Sequence, residues 1–194
     1  MSKPIIGVCG TFASGKDTAA QILASEYNVY HVSTGDIVRE KAMQLYGNVE
    51  RETLRSTASG FRQQYGGDYF VREGYRRYQK VQDQFDGLVF SGVRSLGEGR
   101  AVLALGGELV FVDAPVELRY ERMTGRERDN ETAKSLAEFI ESESKERASG
   151  ATDEWSFNID ALGAMATYTI SNDGSLEQFT NKVNDLAAKV GLTE

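Results

Sequence analysis

The apolar positions of this chain change period several times along its length. Ile5-Ile6-Gly7-Val8-Cys9 is a short β-rich run ending in a Gly-containing turn. Beyond the turn Ala19, Leu23 and Tyr27 recur at helical spacing, with Ala20 and Ile22 beside them. Asn28 to Val32 predicts a second strand. Leu54, Ala58, Phe61 and Tyr65 form a helical stripe closed by Gly66-Gly67, and Asp68 can cap a further helix on which Val71, Tyr75 and Tyr78 share a face. Leu88-Val89-Phe90 and Leu109-Val110-Phe111-Val112 are continuous apolar runs, the pattern of strands buried on both faces. Pro115 suits the first position of a helix reaching about Met123. Tyr168 to Ser171 predicts the last strand. Ser175-Leu176-Glu177-Gln178 is a capping box before a helix with Phe179, Val183, Leu186 and Val190 on one face. Strand–helix alternation of this kind, with five strand candidates, predicts a three-layer α/β fold around a parallel sheet. The stretches from Gly35 to Phe85 and from Gly125 to about Gly150 read as excursions from that core.

Composition narrows the picture. A chain of 194 residues, 40% hydrophobic and 26% charged, predicts one compact domain over residues 1–194 with a core of its own. The formal net charge of −7 argues against partners held through phosphate charge, so neither nucleic acid nor an anionic membrane is expected. Cys9 is alone and cannot form an internal disulfide, and no Cys/His cluster offers a zinc site. The first apolar stretch is far too short for a signal segment or a spanning helix, which gives a cytoplasmic expectation. The single histidine, His31, fits a structural place at a strand end, and Cys9 fits a small core position. Tyr65, Tyr69, Tyr75 and Tyr78 read mainly as packing, with base stacking as their other use.

The chemistry is concentrated at the first turn. Gly10-Thr11-Phe12-Ala13-Ser14-Gly15-Lys16-Asp17-Thr18 follows a strand and opens a helix, the context that a phosphate-binding loop requires. Its glycines let the backbone wrap N–H groups around phosphate, the helix N-terminus adds positive potential, and Lys16 reaches toward the β- and γ-phosphates. Asp17 stands where Ser or Thr would hold Mg²⁺, and Thr18 follows.

This Gly-Lys-x-Thr ending resembles the P-loop nucleoside monophosphate kinases, adenylate kinase foremost. His31-Val32-Ser33-Thr34-Gly35-Asp36-Ile37-Val38-Arg39 resembles the Ser-Thr-Gly-Asp-x-x-Arg segment that opens their acceptor-nucleotide region. Physically, Ser33 and Thr34 can cap the next helix, Gly35 permits close approach of a ligand, and Arg39 can place a planar fork on a phosphate. Phe90-Ser91-Gly92-Val93-Arg94-Ser95 is similar to their Asp-Gly-x-x-Arg stretch, one residue shorter before the arginine. Its Gly-Val-Arg-Ser form looks closer to an adenylate-kinase-related group of archaeal and bacterial proteins. Ser91 here replaces the acid that anchors the water shell of magnesium, which leaves Asp17 and Asp36 as the nearest carboxylates for that task. Arg119 to Arg128 is similar to the stretch leading into their lid: Arg122 would stack on the donor base, Arg126 would clamp its phosphates and Arg128 would help. A lid over about 125–150 would be short and helical, with Asn130 as a cap and Leu136, Phe139 and Ile140 as an apolar patch. Ile170-Ser171-Asn172-Asp173-Gly174 looks like the last turn of P-loop metabolite kinases, dephospho-coenzyme A kinases included, which lies beside the donor adenine.

The resemblance implies a three-layer P-loop kinase fold with a five-stranded parallel sheet, a helical acceptor-binding insertion over about 35–85 and the helical lid. It implies an ATP- and Mg²⁺-dependent nucleotide kinase moving the γ-phosphate to a (deoxy)nucleoside monophosphate. On that reading Lys16, Arg94 and Arg126 are catalytic; Gly10, Ala13, Ser14, Gly15, Lys16, Asp17, Thr18, Arg122 and Arg126 hold the donor. Thr34, Gly35, Asp36, Arg39 and Arg94 hold the acceptor, Asp17 and Asp36 are the Mg²⁺ candidates, and the enzyme is a monomer or homodimer. Two alternatives stay open: a dephospho-coenzyme A kinase-like kinase for another small metabolite, and a non-catalytic ATP-binding regulator, which Ser91 keeps in view.

Overall fold

The computed structural model describes residues 3–125, 135–147 and 153–193. Five strands, β1 (Ile5–Gly10), β2 (Val29–Ser33), β3 (Gly87–Ser91), β4 (Glu108–Asp113) and β5 (Tyr168–Ser171), form one sheet in the order β2-β3-β1-β4-β5. Every pairing is parallel, with Val8 opposite Ser91 on one side and Val110 on the other. Because side chains alternate along a strand, each apolar run feeds two cores. Ile6, Val8, Val89, Val110 and Val112 face helices α1 (Lys16–Glu26) and α9 (Leu176–Lys189), meeting Ala20, Leu23, Phe179 and Val183. Cys9, Leu88, Phe90, Leu109 and Phe111 face the opposite layer. That layer is built from α2 (Thr34–Tyr46), α3 (Arg51–Tyr65), α4 (Tyr69–Gln79), α5 (Leu96–Ala104) and α8 (Ile159–Met165). Gly74 lets α4 lie flat on the sheet: a Cβ there would come within 2.6 Å of Val32 and 2.7 Å of Phe90. Helices α6 (Val116–Thr124) and α7 (Leu136–Arg147) lie at the carboxyl edge, where α/β sheets carry their ligands.

The expected three-layer architecture and its five strands are present, and the differences are local. Strand β2 starts at Val29 because Asn28 takes φ 49° and turns the chain out of α1. Pro115 sits at the N-cap of α6, one position before the helix, with ψ 139°. Asp68 occupies the N-cap position of α4 without capping it; its carboxylate pairs with Arg72 at 2.8 Å instead. Ser175 and Gln178 form the capping box as expected. Of the lid patch, Phe139 is buried and Leu136 packs beside it, but Ile140 is exposed. Helix α8 was not anticipated: seven residues beside a charged stretch leave almost no period to read. Among the described residues no helix is long and apolar enough to cross a membrane.

Candidate active site

The carboxyl ends of β1, β3 and β4 converge on the loop from Gly10 to Lys16. Gly10 has φ 146°, and a Cβ there would lie 2.1 Å from the Val112 carbonyl oxygen; Gly15 has φ 99°. Ala13 accepts φ 59°, a left-handed conformation uncommon for a residue with a side chain. The loop is therefore held open by its surroundings. Thr11 donates to Asp113 Oδ1 at 2.7 Å, tying the loop to the end of β4. Asn172, just after β5, donates to the Ser14 carbonyl at 2.8 Å. Arg122 in turn donates to the Asn172 carbonyl at 3.0 Å and to its Oδ1 at 3.3 Å. Lys16 begins α1 and is buried. Of the four buried polar side-chain atoms with no hydrogen-bond partner among the described residues, two are here, Ser14 Oγ and Arg122 Nη1; the others are Tyr78 OH and Asn184 Oδ1. Orphaned buried polar atoms are costly, and they cluster where a ligand completes the bonding.

Arg119, also buried, closes the other flank. Its Nε donates to the Ala114 carbonyl at 2.8 Å, its Nη1 to the Phe12 carbonyl at 3.3 Å, and its guanidinium forms a two-pronged pair with Glu143 of α7. Phe139 packs on Phe12 at a ring separation of 5.9 Å and joins Ala13 and Met123 in a small core of its own. Helix α7 is thus docked on α6 through the buried Arg119–Glu143 pair and the Tyr120–Phe139 contact, and on the phosphate loop through Phe12–Phe139. Arg126, Arg128 and Asn130 lie outside the described residues.

A second side of the site, facing the phosphate loop, opens between β2, α2, α3 and the β3–α5 turn. Ser33 caps α2 by accepting from the Asp36 N–H at 3.1 Å, and Thr34 donates to the Gly92 carbonyl at 2.8 Å, fastening the two turns together. Arg39 reaches back to Asp36 at 2.9 Å in an exposed pair. Glu98, fully buried, receives Arg62 Nε and Nη2 on one oxygen and the N–H groups of Arg94 and Ser95 on the other. Arg62 and Arg94 both lie over the Phe157 ring, at 5.3 and 5.6 Å. Ser91 Oγ is 2.9 Å from His31 Nε2. Burial lowers the His31 pKa below its ordinary value, against the pull of the Asp17 and Asp36 charges. Cys9 is buried in the sheet core and its thiol is pushed up to about 12, so it stays protonated and unreactive at neutral pH.

One pocket of about 210 Å³ joins these parts. Phe12 and Asp17 of the loop form one wall, and Thr34, Gly35, Arg39 and Arg94 form the other. The sequence-predicted acceptor residues therefore line the same space as the loop's edge, with Asp36 beside it on Arg39. Arg122 stands apart, against Asn172. Sequence reasoning missed Arg51, Arg55, Arg62 and Phe157, which also line the pocket. For the arginines a signal existed in the 51/55/62 spacing along one helix. For Phe157 there was none, since it arrives through an isolated antiparallel bridge to Ser95. Among the described residues no three His, Cys, Asp or Glu side chains gather into a metal site.

A family model described as AAA domain matches residues 6–148 of this chain. The chain belongs to that family. Among curated relatives of this AAA domain protein, a UPF0200 protein of Thermococcus onnurineus is 30% identical over 190 residues, covering 96% of this chain and 97% of its own. The UPF0200/UPF0201 protein of Archaeoglobus fulgidus is 28% identical over 189 residues, and this chain spans about half of that relative, 55% of its length. Among solved structures, shikimate kinase from Bacteroides thetaiotaomicron aligns over 98% of this chain and 100% of its own with a TM-score of 0.59 at 15% identity. The fold of this AAA domain protein is that of the P-loop kinases, as the resemblance implied.

Proposed function

We propose that this protein is an ATP-dependent kinase that passes the γ-phosphoryl group to a nucleoside monophosphate. The observation that carries the reading is the single pocket shared by the phosphate-loop edge, at Phe12 and Asp17, and the acceptor-side arginines Arg39 and Arg94. A donor phosphate on the loop and an acceptor phosphate on those arginines would then meet without either site moving far. On this reading the chain is one kinase domain in which α2–α4 form the acceptor segment and α7 is the described part of the lid.

The donor is held by the N–H groups of Gly10, Ala13, Ser14 and Gly15, with Lys16 and Thr18 on its phosphates; the orphaned Ser14 Oγ supports this. Arg122 serves the base end beside Asn172, and Lys16 and Arg94 serve the transferring group; Arg126, assigned to the same task by the resemblance, lies outside the described residues. Thr34, Gly35, Asp36, Arg39 and Arg94 hold the acceptor, whose phosphate oxygen attacks the γ-phosphorus as ADP leaves. Asp17 and Asp36 fit Mg²⁺ that comes in on the nucleotide: they form no metal cage by themselves, and Mg²⁺ generally binds through one or two carboxylates plus substrate phosphates. The ion supplies charge neutralisation on the phosphates. Catalysis otherwise consists of positioning and preorganised positive charge.

A second reading has its own support. Ser91 is engaged by His31 where the kinases carry an acid, which favours an ATP-binding regulator with slow or no turnover. A coupled assay with ATP, Mg²⁺ and a panel of nucleoside monophosphates plus dephospho-coenzyme A separates the readings. Turnover with one monophosphate is the expected result. ATP binding with no turnover on any acceptor would replace the kinase by the regulator, and turnover on dephospho-coenzyme A alone would change the substrate class.

A further inference from the structure

Five arginines line the pocket, against one acid, Asp17, in a chain whose net charge is −7. Two of the five are ion-paired: Arg62 is neutralised by buried Glu98, and Arg39 meets Asp36 in an exposed pair that a ligand phosphate could replace. Arg94 sits on the Phe157 ring beside Arg62. Arg51 and Arg55 are different. Both are exposed, and neither has an ion-pair partner among the described residues.

Their placement is unfavourable for the helix that carries them. Arg51 is the first residue of α3, where the helix dipole disfavours a cation. Arg55 follows one turn later on the same face, so the two like charges repel at i,i+4 spacing. Glu50 at the N-cap and Glu52 in the first turn offset these terms only in part, since neither pairs with either guanidinium among the described residues. A sequence that keeps two such residues facing a cavity is using them for a ligand.

That ligand group is not the phosphate already assigned. With a rise of 1.5 Å per residue, Arg55 and Arg51 are rooted roughly 10 and 16 Å back along α3 from Arg62, the neighbour of Arg94. A phosphate monoester carries about −1.5 to −2 at neutral pH, which Arg94 and Arg39 suffice to match. We propose that the acceptor is doubly anionic, with the phosphate that receives the phosphoryl group at the Arg39/Arg94 end and a second phosphate bound by Arg51 and Arg55. This rests on the pocket being the acceptor site. The half-buried Leu54 and the Ala58 side chain, on the same wall between the two ends, would cover the apolar body that separates the two anions.

Calorimetric titration of the full-length protein tests this with four pairs of ligands, the adenosine, guanosine, cytidine and uridine 5′-monophosphates and their 3′,5′-bisphosphates. In at least one pair the bisphosphate should bind about tenfold or more tightly than the monophosphate, the value of one charge-assisted contact. The Arg51→Ala/Arg55→Ala double variant should abolish that gain and leave monophosphate affinity within about twofold, with an unchanged or higher thermal midpoint. Equal affinity within every pair, or a gain that survives in the double variant, would overturn the second anion site and leave the acceptor reading standing. Failure of every ligand to bind while ATP still does would overturn the acceptor reading, and this proposal with it.

Discussion

The two walls of the pocket are built on opposite plans. The phosphate-loop wall is local: nine consecutive residues, fixed by Thr11–Asp113, by Asn172 on Ser14 and by Arg119 beneath Phe12, leave little freedom to the backbone. The acceptor wall is assembled from β2, α2, α3, the β3–α5 turn and Phe157, and its guanidinium groups stand partly in solvent. Its fixed points are Glu98, which accepts four N–H groups at zero exposure, and buried Thr34 on the Gly92 carbonyl. A preorganised donor wall facing an adjustable acceptor wall suits a protein that binds a constant nucleotide triphosphate and selects among acceptors.

The same contrast explains what the sequence could reveal. A contiguous loop keeps its meaning in one dimension, so Gly10 to Thr18 was legible, as were strands whose apolar runs are unbroken. Arg39 and Arg94 were legible because each lies within a short motif at the end of a strand. Arg51, Arg55 and Arg62 share a helix whose apolar stripe, Leu54, Ala58 and Phe61, dominated its pattern; charged residues flanking such a stripe look like a solvated face. Arg119 lay inside a recognised stretch, yet only the fold brings it under Phe12 and onto Glu143. Glu98 was not singled out in the sequence: it closes a capping box with Ser95, and its duty toward Arg62, 36 residues away, depends on tertiary packing.

The sharpest way to break the acceptor wall alone is at Glu98. Glu98→Ala would leave Arg62 buried without its counter-charge and free the Arg94 N–H, so the fold should lose about 3–5 kcal/mol. Urea unfolding measures that loss. ATP binding in the surviving folded protein should stay near normal while the acceptor KM rises, because only the Arg94 turn is released. A loss of ATP affinity as large as the loss of acceptor affinity would mean that the walls are coupled through Glu98.

Lys16→Ala is the matching break on the donor wall. Removing one preorganised charge from the transferring group costs about 2.7–4 kcal/mol of transition-state stabilisation, or about 10²–10³-fold in kcat. Thermal unfolding should show the fold intact. Near-normal turnover in a folded variant would remove the phosphate-loop assignment from this site.

Arg39→Ala and Arg94→Ala separate the two ends more finely. A charge-assisted hydrogen bond is worth about 1.5–3 kcal/mol, so each substitution should raise the acceptor KM about 10- to 150-fold. Arg39 already lies on Asp36, and breaking that exposed pair offsets part of its contribution, so Arg39→Ala should show the smaller change of the two. ATP affinity measured without acceptor should barely move in either variant. The reverse pattern, ATP lost and acceptor KM constant, would exchange the two walls.

The smallest effect belongs to His31, in the middle of β2 rather than at the strand end the sequence suggested, with its ring against Ser91. Burial holds its folded pKa below the ordinary 6.5, so between those two values the unfolded chain binds more protons than the folded one. Stability is therefore fully present above about pH 6.5, falls as pH drops toward the folded pKa, and levels off below it. The depressed carboxylate of Glu73, at about 2 beside Arg76 and Arg77, acts in a different window: its contribution is lost as pH falls from about 4.5 toward 2. His31 is the only histidine, which makes a slope between pH 7 and 5 attributable to it. Urea unfolding at pH 7, 6 and 5 should show stability declining toward acid pH in the natural chain and a flatter profile in His31→Gln. An equal decline in His31→Gln would place the titrating group elsewhere. A flat profile in the variant joined to a lower acceptor KM at acid pH in the natural chain would instead tie His31 to the acceptor wall, since a charge gained beside Ser91 would then be felt by the bound anion.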